Sequence, residues 1–86
     1  MEKVFVFLIT ESGFEYAVLK DLKDIPEVRE AFMLFGIYDI LVRLEGKFLT
    51  DMKKVINEIK QLERVLSAMT MITYTNAYSP ISHDSN

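Results

Sequence analysis

The sequence predicts one α+β domain in which a four-stranded antiparallel sheet carries two helices on one face, and three observations lead to this fold class. The chain has 86 residues, which is too few for two hydrophobic cores. Half of the residues are hydrophobic and only three are Gly and two Pro, so a disordered or collagen-like chain is excluded. The hydrophobic spacing changes along the chain in the order strand, helix, strand, strand, helix, strand.

The first half of the chain predicts a strand followed by a helix. Residues 3–10 are rich in Val, Phe and Ile and predict strand β1. From Phe14 to Ile25 the apolar residues recur at helical spacing, which predicts an amphipathic helix α1 of about three turns. Pro26 disfavours helical geometry at the residue before it, so we expect α1 to end just before Pro26.

A hairpin follows the first helix. Residues 28–35 and 38–44 are two short apolar runs and predict the antiparallel strands β2 and β3. Gly36 and Ile37 lie between them, and a tight turn at this point commonly needs a positive φ, which Gly adopts without steric cost.

The remaining residues predict a second helix, a last strand and a polar tail. Residues 48–62 carry an apolar stripe and predict helix α2, with Thr50 and Asp51 as capping or first-turn residues. Residues 65–74 predict strand β4. We therefore expect a domain over residues 1–75 and a flexible polar tail over residues 76–86.

Two interlocked strand–helix–strand units with right-handed crossovers give the ferredoxin-like α/β sandwich, βαββαβ. Its two helices cover one face of the sheet, yet the predicted strands are apolar at successive positions and so on both faces. A second copy packed sheet to sheet would cover the other face, so we expect a homodimer. The alternative is a monomer whose exposed sheet lines a ligand pocket. The five Met, among them Met33, Met69 and Met71, are expected to fill the interface.

Composition excludes several classes of function. The chain has no Cys and one His, His83, which removes zinc and iron–sulfur sites and the usual nucleophiles, so no metal, no cofactor and no catalytic residue are expected. The net charge of −3 and pI near 5.0 argue against direct nucleic-acid binding. The apolar run from Val4 to Ile9 is far too short to cross a membrane, and no targeting segment is visible, so a soluble cytoplasmic protein is expected.

Three segments carry a resemblance to a known family. They are Ile25-Pro26-Glu27-Val28, the run Phe35-Gly36-Ile37-Tyr38-Asp39-Ile40-Leu41-Val42, and Arg64-Val65 followed by Ser67-Ala68-Met69-Thr70-Met71-Ile72. In order and spacing they resemble the effector-binding domain of the Lrp/AsnC feast/famine regulators, called the RAM domain (regulation of amino acid metabolism), over residues 3–74. The chain has no room for the helix-turn-helix of longer members, so the resemblance implies a stand-alone domain.

The resemblance implies an assembly and a ligand. In that family the domain dimerises through its sheets, the dimers often assemble into octamers or similar rings, and an amino acid or related small effector binds between dimers. This implies a small-molecule sensor that modulates transcription, possible co-assembly with DNA-binding Lrp/AsnC regulators, and no enzymatic activity. By resemblance the effector would contact Gly36, Tyr38, Asp39 and Thr70.

Each of these residues also has a structural interpretation. Asp39 begins an apolar strand, where it either binds the ammonium group of an effector or accepts backbone N–H bonds at the turn. Tyr38 either closes one wall of the cleft or packs against the sheet. The family often carries Thr-x-Thr in strand four, but here the positions are Ala68 and Thr70, and Thr73 is expected on the opposite face from Thr70.

Other readings of the sequence stay open. Arg43, inside an apolar strand, contacts an effector carboxylate, forms an ion pair between subunits, or extends to solvent. A related fold, the ACT domain, binds its ligand near the link after strand one, here residues 10–13. The whole protein is alternatively a structural oligomerisation module without an effector, or a small cofactor-independent enzyme of the dimeric ferredoxin-like kind that uses Asp39.

Overall fold

The structure, a computed structural model, describes residues 3–73. Its strands pair antiparallel in the order β2-β3-β1-β4, and both helices pack on one side of the sheet. This confirms the ferredoxin-like α+β sandwich. The predicted tail over residues 76–86 lies outside the described residues. In chain order the elements are β1 Lys3–Thr10, α1 Glu15–Leu22, β2 Val28–Met33, β3 Ile40–Leu44, α2 Leu49–Lys60 and β4 Val65–Thr73.

The core lies between the sheet and the two helices. In β1 every second side chain, Val4, Val6 and Leu8, is buried, and the register places these three opposite buried residues of β3. Each fully buried Val, Leu or Ile contributes about 1.5–3 kcal/mol through removal of apolar surface from water. The helices complete this core with Val18, Leu22, Met52, Val55, Ile56 and Ile59.

The other side of the sheet has no helix over it and is also apolar, as the sequence predicts. We call this surface the open face. Its large side chains are half-buried or exposed, and no helix within residues 3–73 covers them. Met33 is an exception to the prediction, because its register partner is the buried Ile40 and it therefore belongs to the helix side of edge strand β2. The apolar residues of the open face are Phe5, Phe7, Ile9, Phe32, Leu41, Met69 and Met71, and the register places the charged Arg43 and Glu30 on the same face.

Helix α1 is shorter than predicted. It ends at Leu22 and does not continue to the residue before Pro26. The N–H groups of Asp24 and Ile25 bind the carbonyl groups three residues earlier, at 3.2 and 3.1 Å, so the chain tightens and leaves helical geometry before Pro26 is reached. Ile25 is buried, as its place in the apolar pattern predicts.

The hairpin is longer than the predicted two-residue turn. Strand β2 ends at Met33 and β3 begins at Ile40, which leaves a six-residue connection. Gly36 does not have the positive φ that a tight turn would require, so that prediction is wrong. Positive φ occurs instead at Gly13 (89°) and, among non-glycine residues, at Arg64 (78°).

Helix α2 begins one residue after the predicted start and ends two residues before the predicted end. Phe48 is the N-cap in extended geometry and makes no side-chain hydrogen bond to the helix. Its carbonyl accepts the N–H groups of Asp51 and Met52 at 3.1 and 3.3 Å. Thr50 and Asp51 both lie in the first turn, as predicted, and the charge of Asp51 complements the helix dipole.

The start of β1 and the end of β4 are neighbours in the sheet. Lys3 pairs with Thr73, and the Lys3 N–H donates to Thr73 Oγ1 at 3.2 Å. Over residues 3–73 neither helix has the length and apolar character needed to traverse a lipid bilayer.

Candidate functional site

The connection between β2 and β3, residues 34–39, lies at the end of β1 where Thr10 closes the strand. We call it the 34–39 loop. The Leu34 N–H donates to the Asp39 carbonyl at 2.8 Å, which closes the base of the loop. The Asp39 N–H donates to the carbonyl of Leu8 in β1, also at 2.8 Å. The loop is thus fixed to the central strand at its base.

The two oxygens of the Asp39 carboxylate differ in their contacts. Its Oδ2 accepts the backbone N–H of Thr10 at 2.8 Å and the Thr10 hydroxyl at 3.4 Å. Thr10 is buried, so this contact satisfies a donor that water does not reach. Within residues 3–73, Asp39 Oδ1 accepts no hydrogen bond. Asp39 therefore accepts a backbone N–H, as one interpretation of the sequence expects, but this N–H belongs to β1 and not to the hairpin turn.

Tyr38 packs against the open face. Its ring lies 5.4 Å from the ring of Phe7, at an interplanar angle of 54°, and its hydroxyl lies 3.4 Å from the sulfur of Met69. Tilted aromatic pairs of this kind add about 0.5–1.5 kcal/mol beyond area burial. The packing interpretation of Tyr38 accounts for its position in one subunit.

The tip of the 34–39 loop is apolar and exposed. Phe35 and Ile37 are almost fully exposed on either side of Gly36, which is itself exposed. A Cβ placed on Gly36 would meet no atom within 4 Å, so the space around this backbone is empty in one subunit. A ligand or a neighbouring subunit has room to approach here.

Thr70 lies apart from the loop residues. Its register partner is Val6, so its half-buried side chain is on the helix side of the sheet, together with Ala68. Thr73 pairs with Lys3 and belongs to the opposite face, as the strand alternation predicts. The fold therefore brings Gly36, Tyr38 and Asp39 together on one loop and places Thr70 across the sheet from the Tyr38 ring.

Arg43 is committed to ion pairs within the subunit. Its Nε lies 2.6 Å from Glu30 Oε1 and its Nη1 lies 4.0 Å from Glu45 Oε2. The hydrogen bond to Glu30, followed by the charges of Glu30 and Glu45, raises the pKa of Arg43 above its ordinary value. Glu30 was not identified from the sequence, although the pairing of β2 with β3 places it directly across from Arg43.

A contact between two loops was also missed by the sequence reasoning. The Glu11 N–H donates to the Arg64 carbonyl at 2.8 Å, and Arg64 Nη1 lies 3.1 Å from Glu11 Oε1. The Arg64 guanidinium lies 4.1 Å from the centre of the Phe14 ring, within cation–π distance. The link after β1, where an ACT-type site would lie, is therefore in contact with Arg64.

Two surface cavities formed by residues 3–73, of about 350 and 840 Å³, are lined by residues other than Asp39. Residues 3–73 hold no group of three or more His, Cys, Asp or Glu side chains placed to bind a metal ion.

The chain is similar to several known proteins. The family model "Lrp/AsnC ligand binding domain" matches residues 3–80. A stretch of 56 residues is 36% identical to a homocitrate synthase of Sulfurisphaera tokodaii and spans 65% of this chain but only 12% of that enzyme. A hypothetical protein of Pyrococcus horikoshii superposes with a TM-score of 0.79 at 33% identity, over 86% of this chain and 90% of that one.

Two regulators share the fold at lower identity. AsnC of Escherichia coli superposes with a TM-score of 0.79 at 24% identity, over 94% of this chain and 56% of AsnC. A transcriptional regulator of Neisseria meningitidis, solved as a complex with L-Met, gives a TM-score of 0.73 at 15% identity over 91% of this chain and 53% of the regulator. Because the family model covers nearly the whole chain and the architecture agrees with it, the chain belongs to the Lrp/AsnC ligand-binding domain family.

Proposed function

We propose that this domain binds an amino acid or a related small effector and assembles through its sheet, so that the effector controls the assembly. The observation that carries the proposal is that the 34–39 loop lies at the end of the apolar open face. The open face provides a surface for assembly, and the loop provides the carboxylate of Asp39. Membership of a ligand-binding domain family of transcription regulators supports an effector-binding and regulatory role without enzymatic activity.

The open face supports a dimer packed sheet to sheet. Phe32, Met69 and Met71 remain substantially exposed in one subunit, at 47%, 40% and 51%, although their strands lie in the sheet. Two such faces packed about 10 Å apart would remove them from water. Arg43 enters such an interface already paired with Glu30, which avoids an unpaired buried charge.

Asp39 supports recognition of the ammonium group of an amino acid. Its Oδ2 is held by Thr10, which fixes the orientation of the carboxylate, and its Oδ1 accepts no hydrogen bond from residues 3–73. A charge-assisted hydrogen bond from an ammonium group to a fixed carboxylate is short and strong. The exposed backbone at Gly36 provides amide groups for the effector carboxylate, and Tyr38 closes the cleft on the sheet side.

Thr70 reaches this cleft only from a neighbouring subunit, because in its own subunit it lies across the sheet from Tyr38. An effector held between subunits binds the assembly better than the separated subunits and so stabilises octamers or similar rings. Incorporation of this domain into a ring with a DNA-binding Lrp/AsnC regulator would then transmit the effector signal to transcription.

A structural oligomerisation module without an effector is the second candidate. It is favoured by the bond from Thr10 to Asp39, because the carboxylate already has a structural role, and by Ala68 in place of the Thr common in the family. In this case the loop would only hold the hairpin to β1, and the assembly would not respond to any amino acid.

The experiment compares ligand response in Asp39→Asn and in a matched control, Asp24→Asn. The Asn side chain keeps an oxygen acceptor for Thr10 and removes the charge that an ammonium group would bind, whereas Asp24 is exposed and distant in sequence from the loop. Mass by light scattering and thermal midpoint are measured with each of the twenty amino acids. We expect one or a few to raise the midpoint of the wild type and Asp24→Asn but not of Asp39→Asn.

Two results contradict the proposal. A mass and a midpoint that are indifferent to all twenty amino acids would favour the structural module. An equal response of Asp39→Asn and wild type would remove Asp39 from the effector site.

A further inference from the structure

The two edges of the sheet are built differently. Edge strand β2 carries the charged residues Arg29 and Glu30 and an irregularity in pairing between Val28 and Glu30. Charges and irregular pairing are the usual means by which proteins prevent a sheet edge from pairing with another chain. Edge strand β4 has nine residues with no charge, no Pro and no Gly. The pairing irregularity of β4 lies at its start, between Val65 and Ser67, so residues 67–73 of this edge have regular pairing and no charge, whereas β2 has both protections.

The direction of the backbone groups of β4 follows from a bond on the other side of β1. The Leu8 carbonyl accepts the Asp39 N–H, so the backbone of Leu8 is directed towards β3. In an antiparallel sheet the direction alternates along the strand, so Phe7 and Ile9 are directed towards β4. Their partners Met69 and Ser67 exchange hydrogen bonds with β1.

The residues between these partners are therefore directed outwards. Ala68, Thr70 and Ile72 present their N–H and carbonyl groups to the edge of the sheet, and no strand among residues 3–73 accepts them. We propose that this edge pairs antiparallel with β4 of a second copy of the chain, in the register that places Thr70 opposite Thr70. The proposal does not depend on the effector or on the sheet-to-sheet dimer.

This register satisfies the backbone and fits the side chains. Three residue pairs exchange two hydrogen bonds each, about six in all. On the helix side, the small Ala68 of one copy lies beside the large Ile72 of the other, and the two Thr70 side chains form a Thr–Thr pair, which is favourable across strands. On the open face, Met69 lies beside Met71 of the other copy.

Charge does not oppose a second copy in this register. Among residues 3–73, the shallow groove between α2 and this edge is lined by the charged Lys60 and by residues 65–68. In the proposed register Ser67 of one copy lies opposite Thr73 of the other, so the two grooves are six residues apart, or about 20 Å along the strand. This exceeds the Debye length of about 8 Å at physiological salt, so the two Lys60 side chains do not repel strongly.

Edge pairing and sheet-to-sheet packing use different surfaces and different twofold axes. Edge pairing alone gives a dimer with one continuous eight-stranded sheet. When both contacts form, each chain contacts one copy through its edge and another through its open face. The edge contact therefore supplies a way for sheet-to-sheet dimers to join.

The experiment measures mass by light scattering for the wild type, Ala68→Pro and Ala68→Ser. Proline at position 68 removes an outward N–H without removing a hydrogen bond to β1, and the Ser control keeps the N–H. We expect the mass of Ala68→Pro to be half that of the wild type and of Ala68→Ser. Phe7→Asp, which places a charge on the open face, separately halves the mass if the sheet-to-sheet dimer exists and leaves edge pairing intact.

Amide hydrogen exchange on the wild type tests the same contact without relying on a variant that folds. We expect the amides of Ala68, Thr70 and Ile72 to be protected to within about tenfold of those of Met69 and Met71, and to lose this protection on dilution. Exchange that is about a hundredfold faster than at Met69 would overturn the proposal. Protection that persists in the diluted monomer would also overturn it, because residues 74–86 of the same chain would then be the occupant.

Discussion

At Arg64 the free-energy penalty of a left-handed backbone can be measured separately from the stabilisation that the arginine side chain provides. Its φ of 78° is in the left-handed region, which costs an L-residue about 1–2 kcal/mol. Its guanidinium forms a half-exposed ion pair with Glu11, which contributes about 0.2–1 kcal/mol, and a cation–π contact with Phe14, which contributes about 0.5–1 kcal/mol. These gains and the backbone cost are similar in size and largely offset each other.

Two substitutions at this position should therefore differ. Arg64→Ala loses both side-chain contacts and keeps the strained backbone, so the free energy of unfolding should fall by about 1–2 kcal/mol. Arg64→Gly loses the same contacts but is relieved of the left-handed penalty, so it should remain within about 0.5 kcal/mol of the wild type. In both variants the backbone bond from the Glu11 N–H to the carbonyl of residue 64 can remain.

Urea denaturation at one fixed protein concentration measures these values, because assembly makes the apparent stability depend on concentration. We expect Arg64→Gly to be more stable than Arg64→Ala by about 1 kcal/mol. A Gly variant equal to or less stable than the Ala variant would refute the reasoning, since it would mean that the left-handed backbone carries no penalty at this site.

Two further predictions concern the loop and the packing of α2. Asp39→Ala removes the acceptor of the buried Thr10 N–H and should lower the free energy of unfolding by about 1–3 kcal/mol. The control Asp24→Ala should change it by less than about 0.5 kcal/mol. Equal effects of the two substitutions in urea denaturation would contradict the role of the bond from Thr10 to Asp39. Gly46→Ala would place a Cβ against Cε of Met52, the far end of a flexible side chain that can shift, so the free energy of unfolding should fall by less than about 1 kcal/mol; a larger loss that persists in the Met52→Ala background would show that another contact opposes the Cβ.

The parts of the fold that follow from local pattern were predictable. Strand β1 has the predicted bounds, Lys3–Thr10, because its β-branched and aromatic residues end at a polar, glycine-containing link. The apolar open face also follows from local pattern, since alternation alone assigns side chains to faces. The predicted separation of Thr70 and Thr73 onto opposite faces agrees with the observed register for the same reason.

The differences arise where distant residues decide the local geometry. The hairpin is longer than a tight turn because the Asp39 N–H binds Leu8, about thirty residues earlier in the chain, and nothing within the hairpin sequence signals that bond. Tyr38 and Asp39 come together only because they are adjacent in sequence. The contacts of Arg64 were not predictable, because a left-handed arginine has no pattern of its own and its partners belong to the loop after β1.

The pairing of Lys3 with Thr73 makes this domain easy to attach to other proteins. Its first and last strands end side by side, so a polypeptide can enter and leave the domain at one point without altering the sheet. That point is at the opposite end of β1 from the 34–39 loop, about 24 Å away for eight strand residues. A partner fused at that point would therefore leave the loop accessible.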